Sequence, residues 1–149
     1  MSSGGSRTQP TRQERAGCGF LEAADLGFSP EASGIENANA LQRAVDQGGT
    51  IGVSQPGTYR MARTVYVGSN TSLVFGNGVF LKKVDEEGPF SHVLLNKGAL
   101  TKTHDQDITI DGLHIIVNGI DVCTFEVYGL RGQVAFFYVK DLRIDRFRC

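Results

Sequence analysis

The sequence lacks tryptophan, contains only four prolines and carries almost no net charge. A formal net charge of −1 argues against binding to nucleic acid or to an anionic membrane surface. No stretch approaches the roughly 20 consecutive apolar residues of a membrane span. The polar, basic start has no apolar segment of the kind found in a secretory signal. We therefore predict no nucleic-acid and no membrane partner, and the cellular compartment remains open.

The three cysteines, Cys18, Cys123 and Cys149, are too few and too far apart to form a disulfide framework. None of them forms a C-x-x-C pair, which is the usual spacing of a structural zinc site. We interpret them as buried or incidental thiols. The sequence therefore predicts no metal and no cofactor.

Composition and periodicity divide the 149 residues, about the length of one domain, into three segments. Residues 1–16 contain little apolar surface, and we predict a disordered leader. Residues 17–49 are predicted to form an N-terminal cap with one amphipathic helix over about 35–47. Residues 50–149 change to a period of two, in short strands separated by Gly, Asn and Asp turns.

The predicted helix has clear start and stop signals. Ser33 and Glu36 have the S-x-x-E spacing of a capping box, and Gly48 and Gly49 follow the last apolar position. Only one stripe of the helix is apolar, so this stripe must lie on another element. We expect the helix to cover the first strands.

Three strand segments repeat one pattern. Aligning Leu73–Phe75 with Ile108–Ile110 and Leu142–Ile144 brings an apolar pair into register at offsets of 35 and then 34 residues. A repeat of this length with short strands predicts an all-β fold, a parallel β-helix in which equivalent residues stack on successive coils. The chain stops at Cys149 inside a strand-like unit. We therefore expect an N-terminal fragment with only the first coils, and edge-to-edge self-association through the open last coil.

One stretch, Asn37–Lys83, resembles a known superfamily. Its Gly48-Gly49, Pro56-Gly57-Thr58-Tyr59 and Ser69-Asn70-Thr71 turns occur in the order seen at the start of pectin-lyase-like right-handed parallel β-helix proteins. The most similar members are polygalacturonase-like glycoside hydrolases. The resemblance implies a right-handed β-helix with a capping helix, and a parent protein that hydrolyses pectin-type polysaccharide with Asp side chains as general acid and base.

The catalytic motifs of that family do not occur in this sequence. Asn-Thr-Asp, Asp-Asp, Gly-His-Gly and Arg-x-Lys are all absent, so no catalytic residue can be transferred from the family. We expect the hydrolytic residues of such a parent to lie beyond Cys149, and this chain alone to be inactive.

Four charged residues are the candidates for a site within the chain. Asp111 and Asp145 align at the exit of the same repeated strand, about one strand spacing apart, close to the ~5–5.5 Å between the carboxyls of a retaining glycosidase. The alternative is that each Asp bonds its own turn. Arg143 and Arg146 could bind a uronate carboxylate in a bidentate manner, or be solvated surface.

Other polar and aromatic residues support weaker interpretations. Asp105 and Asp107 precede Asp111 without the glycine and glutamate of an EF-hand, so we predict no Ca²⁺ site. We interpret the three histidines as solvated side chains, with His114 pointing outwards. Four aromatic residues are interpreted as core, with stacking on sugar rings as the alternative. These residues are His92, His104 and His114, and Tyr128, Phe136, Phe137 and Tyr138.

Three other functions stay open beside the hydrolase. One is a tailspike-like or surface β-helix that binds glycan without catalysis, and a second is a polysaccharide lyase. A third is a scaffold without a ligand. A row of aromatic and arginine residues on one strand face would favour binding, whereas clustered Asp residues holding Ca²⁺ would favour a lyase. In each glycan-directed case the partner is a polysaccharide or oligosaccharide.

Overall fold

The computed structural model describes residues 20–88, 90, 92–117 and 133–148. The predicted leader lies outside the described residues, as do all three cysteines and Tyr128. The helices of the described part are a 3-10 helix at Ala23–Leu26, α1 at Gly34–Asp46 and α2 at Gly98–Thr101. None of them is long and apolar enough to cross a membrane.

The strands of the described residues are short, between two and seven residues long. In chain order they are β1 (Phe20–Glu22), β2 (Gly49–Val53), β3 (Gly57–Met61), β4 (Val65–Val67), β5 (Thr71–Phe75), β6 (Val79–Lys83), β7 (Leu94–Asn96), β8 (Asp105–Asp111), β9 (Ile115–Ile116), β10 (Val134–Ala135) and β11 (Val139–Asp145).

These strands pair in parallel in three sheets. The largest has the order β1-β2-β5-β8-β11, and the two smaller sheets have the orders β10-β7-β4 and β3-β6-β9. From β2 onwards, consecutive strands belong to different sheets, so the chain turns a corner after each of these strands. The inward side chains of all three sheets form one main core.

The fold class predicted from the sequence is wrong. The sequence predicts an all-β right-handed parallel β-helix with one capping helix, whereas the described residues form two α-helices and a 3-10 helix beside their strands. The strands lie in separate parallel sheets of five, three and three strands. Periodicity indicates which residues face the core, but not how strands are divided among sheets. It also misses a helix as short as α2, which spans about one turn.

The predicted strand register is correct for one pair of strands and wrong for the other. Leu142 lies opposite Ile108, as aligned, but Ile108 lies opposite Thr71 and not Leu73. A shift by two residues keeps every side chain on its original face, so alternation alone cannot exclude it. Thr71 is consequently buried in the core row.

Helix α1 begins with a complete capping box. The Ser33 hydroxyl accepts a bond from the Glu36 N–H at 3.1 Å, and the Glu36 carboxylate accepts one from the Ser33 N–H at 2.9 Å. The Glu86 carboxylate also accepts a bond from the Gly34 N–H at 2.8 Å. The apolar stripe of α1 packs against β3 and β4. The buried residues of this stripe are Ala38, Leu41, Ala44 and Val45.

A buried histidine makes stability depend on pH. His92 is 1% exposed, and burial together with the charge of Lys83 lowers its pKa. Below about pH 6.5, His92 therefore binds a proton in the unfolded chain but not in the folded chain. The contribution of His92 to stability is complete above about pH 6.5 and is lost as the pH falls towards the lowered pKa. Between pH 6.5 and 5.5 the free energy of unfolding should fall by up to about 1 kcal/mol for this one group.

Urea unfolding at several pH values tests this expectation. His92→Gln should flatten the slope over this interval, whereas the exposed control His104→Gln should keep it. An equal slope in His92→Gln and in the parent would contradict the assignment.

Candidate functional site

The two Asp candidates lie side by side, and each is paired with an arginine. Asp111 and Asp145 are register partners at the ends of β8 and β11. The guanidinium of Arg146 donates two bonds to the Asp111 carboxylate, at 2.7 and 3.0 Å. Nε of Arg143 donates to Oδ2 of Asp145 at 2.6 Å. The structure thus brings all four candidates together as two exposed ion pairs.

This arrangement is poorly suited to acid–base catalysis. The hydrogen bond from Arg146 lowers the pKa of Asp111, which keeps that carboxyl ionised. A general acid must instead hold its proton near the working pH, and glycosidases achieve this by raising a carboxyl pKa. Asp111 therefore lacks the property that the acid role requires.

A sharp turn directs Arg146 towards Asp111. Arg146 has a φ of 53°, in the left-handed region, and the matching turn after β8 has Gly112 with a φ of 80°. A non-glycine residue held in this region costs about 1–3 kcal/mol and is found mostly where function or tight packing requires it. The turn points the Arg146 side chain back across the sheet to Asp111.

An open cleft of about 350 Å³ lies beside this ion pair, at the corner between the five-stranded sheet and the β3-β6-β9 sheet. One wall is the turn Gly76–Gly78, and another is Arg146. The remaining wall contains Phe80, His114 and Arg148. The cleft therefore combines cationic, aromatic and backbone groups.

The outward face of the β3-β6-β9 sheet extends the cleft. Phe80 is aligned with Thr58 on one side, and on the other side the pairing of Leu81 with Ile115 brings His114 next to Phe80. His114 forms an isolated parallel bridge to Arg148. The His114 ring meets Phe80 edge-on, with ring centroids 4.7 Å apart. The row formed by Phe80, His114 and Arg148 is called the basic row below.

The sheet that carries the basic row has cations and no acidic residue on its strands. Arg60 and Lys82 are register partners and occupy the next outward row. Arg60 donates to the carbonyl oxygen of Ala32 at 2.9 Å. Within the described part of the chain, Lys82 and Arg148 have no ion-pair partner. Two cations are thus available to an anionic ligand on a protein whose net charge is −1.

Sequence reasoning missed three residues of this surface: Phe80, Lys82 and Arg60. The signal was present in the strand VFLKK, where strict alternation puts Phe80 and Lys82 outward once Val79 and Leu81 are inward. The register between paired strands then decides which side chains become neighbours of Phe80 and Lys82. Only the pairing of β6 with β9 brings Phe80 next to a histidine from another strand.

The other sequence candidates do not form a site. His92 is buried, so its interpretation as a solvated residue is wrong, whereas His104 is exposed. Asp105 is occupied, because its Oδ2 accepts bonds from the Gly98 N–H at 2.7 Å and from Nδ2 of Asn96 at 2.8 Å. Asp107 has a left-handed φ of 57°. No group of three or more His, Cys, Asp or Glu in the described ranges could hold a metal.

The three described aromatic candidates also lie away from the basic row. Phe136 packs against the main core, and Phe137 packs against a small cluster around Leu95. Tyr138 is half exposed and meets the His104 ring edge-on, with centroids 5.7 Å apart. The stacking surface beside the arginines is therefore Phe80.

A second cleft, of about 590 Å³, lies at the opposite corner of the five-stranded sheet. Its cation, Lys97, is already paired with Asp46 at 2.6 Å, and Asp105 adds a further carboxylate. This cleft has no excess of positive charge. The first cleft is therefore the stronger candidate for an anionic ligand.

No protein-family model and no curated protein matches the chain in sequence. Among solved structures, the chain is similar to the crystal structure of PfbA, a surface adhesin of Streptococcus pneumoniae, with a TM-score of 0.63 and 20% sequence identity. The match covers 86% of this chain and 32% of that chain. At this level of identity the likeness shows a shared fold, and the chain spans about a third of the length of the adhesin structure.

Proposed function

We propose that the protein is a non-catalytic binding module for an acidic oligosaccharide or polysaccharide, which it binds on the basic row and in the adjoining cleft. The observation that carries the proposal is the row of Phe80, His114 and Arg148, next to Lys82. The strands of the sheet beside this row carry no acidic residue. A row of aromatic and arginine residues on one face of a sheet favours a glycan-binding protein over a scaffold without a ligand.

The chemistry of the row suits a carboxylated sugar. Arg148 has no ion-pair partner among the described residues, so its guanidinium can bind a uronate carboxylate through two parallel bonds. Phe80 supplies an apolar surface for the face of a sugar ring. Adjacent strands are about 4.8 Å apart, so the side chains of Phe80, His114 and Arg148 together span roughly 10 Å. This length fits an oligosaccharide better than a single small anion.

Two further considerations support binding over hydrolysis. The similar solved structure is that of a surface adhesin, and adhesion requires binding without turnover. In the described residues the only adjacent candidate carboxyls, Asp111 and Asp145, are both paired with arginines. The proposal therefore assigns no bond cleavage to this chain.

Calorimetric titration with oligogalacturonate tests the proposal. We expect binding that weakens with added salt, because exposed charges are screened over about 10 Å at 0.1 M ionic strength. Arg148→Gln should weaken binding at least about tenfold, since a hydrogen bond to a charged group contributes roughly 1.5–3 kcal/mol. Lys82→Gln should have a smaller effect, because Lys provides a point charge without a fork.

Matched variants and a neutral probe provide the controls. Arg63→Gln removes an exposed arginine that pairs with Glu87 away from the cleft, and it should leave the affinity unchanged. A neutral galactan oligosaccharide should bind much more weakly than oligogalacturonate. Equal binding of both sugars, no binding of either, or release of reducing ends during incubation would each overturn the proposal.

A further inference from the structure

The wall of the first cleft contains an asparagine followed directly by a glycine. Asn77 and Gly78 lie in the turn between β5 and β6, both are exposed, and both line the cleft of about 350 Å³. In such a pair the backbone nitrogen of the glycine can attack the side-chain carbonyl of the asparagine, because glycine has no side chain to shield that nitrogen. The turn therefore places a self-reactive pair beside the proposed ligand.

The fold fixes the glycine of this pair but not the asparagine. Gly78 has a φ of +79°, which is unfavourable for a side chain, and a Cβ there would lie 3.2 Å from Cβ of Pro56. Asn77 is not in the left-handed region, and its side chain makes no hydrogen bond within the described part of the chain. The nitrogen that follows Asn77 thus has to belong to a glycine, while the Asn77 side chain is not held in place by the turn.

Both reacting groups are available. Among the described residues, no group accepts a hydrogen bond from the Gly78 N–H, so the attack breaks no existing bond at that nitrogen. The turn is closed by a bond from the Val79 N–H to the Gly76 carbonyl oxygen at 3.3 Å, which is longer than the usual range of about 2.7–3.2 Å. Because this bond is weak, a small opening of the turn lets Cγ of Asn77 reach the Gly78 nitrogen.

We propose that Asn77 is a site of spontaneous deamidation, which introduces a carboxylate into the wall of the cleft. The Gly78 nitrogen bonds to Cγ of Asn77, the bond from Cγ to Nδ2 breaks, and Nδ2 leaves as ammonia with the proton of the Gly78 N–H. Water then adds to either carbonyl of the resulting cyclic imide and opens the ring to aspartate or isoaspartate. The sequence of steps consumes water and releases ammonia, and it needs no enzyme, metal or oxidant.

The consequence for ligand binding rests on the proposed function. The other walls of the cleft carry Arg146 and Arg148, whose charges favour an anionic ligand. A carboxylate at position 77 attracts these guanidinium groups itself and repels the carboxylate of a uronate. Deamidation should therefore weaken binding as the protein ages, so that an aged chain releases an acidic glycan that a newly made chain binds.

Peptide mapping by mass spectrometry tests the modification in the folded chain, held at neutral and at mildly alkaline pH. We expect Asn77 to be replaced over time by a mixture of aspartate and isoaspartate, faster at alkaline pH because the attacking nitrogen must lose its proton. Asn70 is the matched control in the same map, since it is also exposed in a turn but precedes the β-branched Thr71, which shields its own nitrogen. Persistence of Asn77, or an equal loss of Asn70, would overturn the proposal.

Titration with oligogalacturonate tests the consequence for binding. Asn77→Asp should bind about threefold more weakly than the freshly prepared parent, because the two side chains have the same shape and differ in charge. Asn77→Gln would have to close a larger ring, so it should keep its initial affinity on ageing while the parent loses affinity. A fresh parent that binds no acidic glycan would overturn the proposed function but not the modification, which the peptide map decides. A parent whose affinity survives complete deamidation would overturn the effect on the cleft.

Discussion

Replacing Asn96 with leucine should lower the free energy of unfolding by about 4 kcal/mol. The Asn96 side chain is fully buried and makes three bonds of 2.8 Å, to the Asp105 carboxylate, the Phe137 carbonyl and the Phe137 N–H. Leucine fills a similar space but leaves all three groups without this partner, and each group buried in this way costs roughly 1–3 kcal/mol. Domains of this size are stable by only about 5–15 kcal/mol, so the effect is large.

The effect of this substitution should extend across two sheets, because Asn96 lies on β7 while Asp105 begins β8. Urea unfolding would measure it, with Asn39→Leu as the matched control at an exposed position of α1. The control should change stability by less than about 0.5 kcal/mol. A loss below about 1 kcal/mol in Asn96→Leu would mean that water or a small shift satisfies these groups, and it would contradict their dependence on Asn96.

Gly112→Ala should destabilise the protein by about 3 kcal/mol. A Cβ at this position would lie 2.3 Å from the Phe75 carbonyl oxygen, which is a rigid backbone atom, and the φ of +80° is unfavourable for a side chain. The left-handed conformation costs about 1–2 kcal/mol for a non-glycine residue. The backbone shift needed to relieve the close contact adds about 1–3 kcal/mol.

A second glycine separates the two contributions. Gly48 has a similar φ of +73°, but its nearest neighbour would lie 3.8 Å from an added Cβ, which is an ordinary contact. Gly48→Ala should therefore cost only about 1–2 kcal/mol, the conformational part alone. Thermal or urea unfolding of both variants gives the difference. Equal losses at the two positions would show that the approach of Phe75 to Gly112 has no energetic consequence.

Local signals in the sequence were sufficient for several elements. The S-x-x-E spacing of Ser33 and Glu36 predicts a helix start that the structure contains as two reciprocal hydrogen bonds. The alternation in DITID predicts which residues of β8 face the core, and Ile108 and Ile110 are buried. Leu113 and Ile115 are buried on either side of His114, which lies outward as expected. All these signals depend on residues a few positions apart.

The candidate site was predictable only in part, because it is composed of residues distant in sequence. Asp111 and Asp145 could be aligned by their shared pattern, but nothing local shows that Arg146 reaches back 35 residues to neutralise Asp111. Phe80 and Arg148 have no common motif. They become neighbours of His114 only through strand pairing.

The sequence by itself therefore determined the capped helix, the inward and outward faces of the strands and the glycine-rich turns. These depend on backbone preferences and on hydrophobic alternation, which act over a few residues. Only the tertiary structure decided the division into three sheets and the two-residue shift that places Thr71 opposite Ile108. It also decided the burial of His92 and the basic row. Alternation is unchanged by a shift of two residues, so the choice of register depends on contacts between distant parts of the chain, such as that of Gly112 with Phe75.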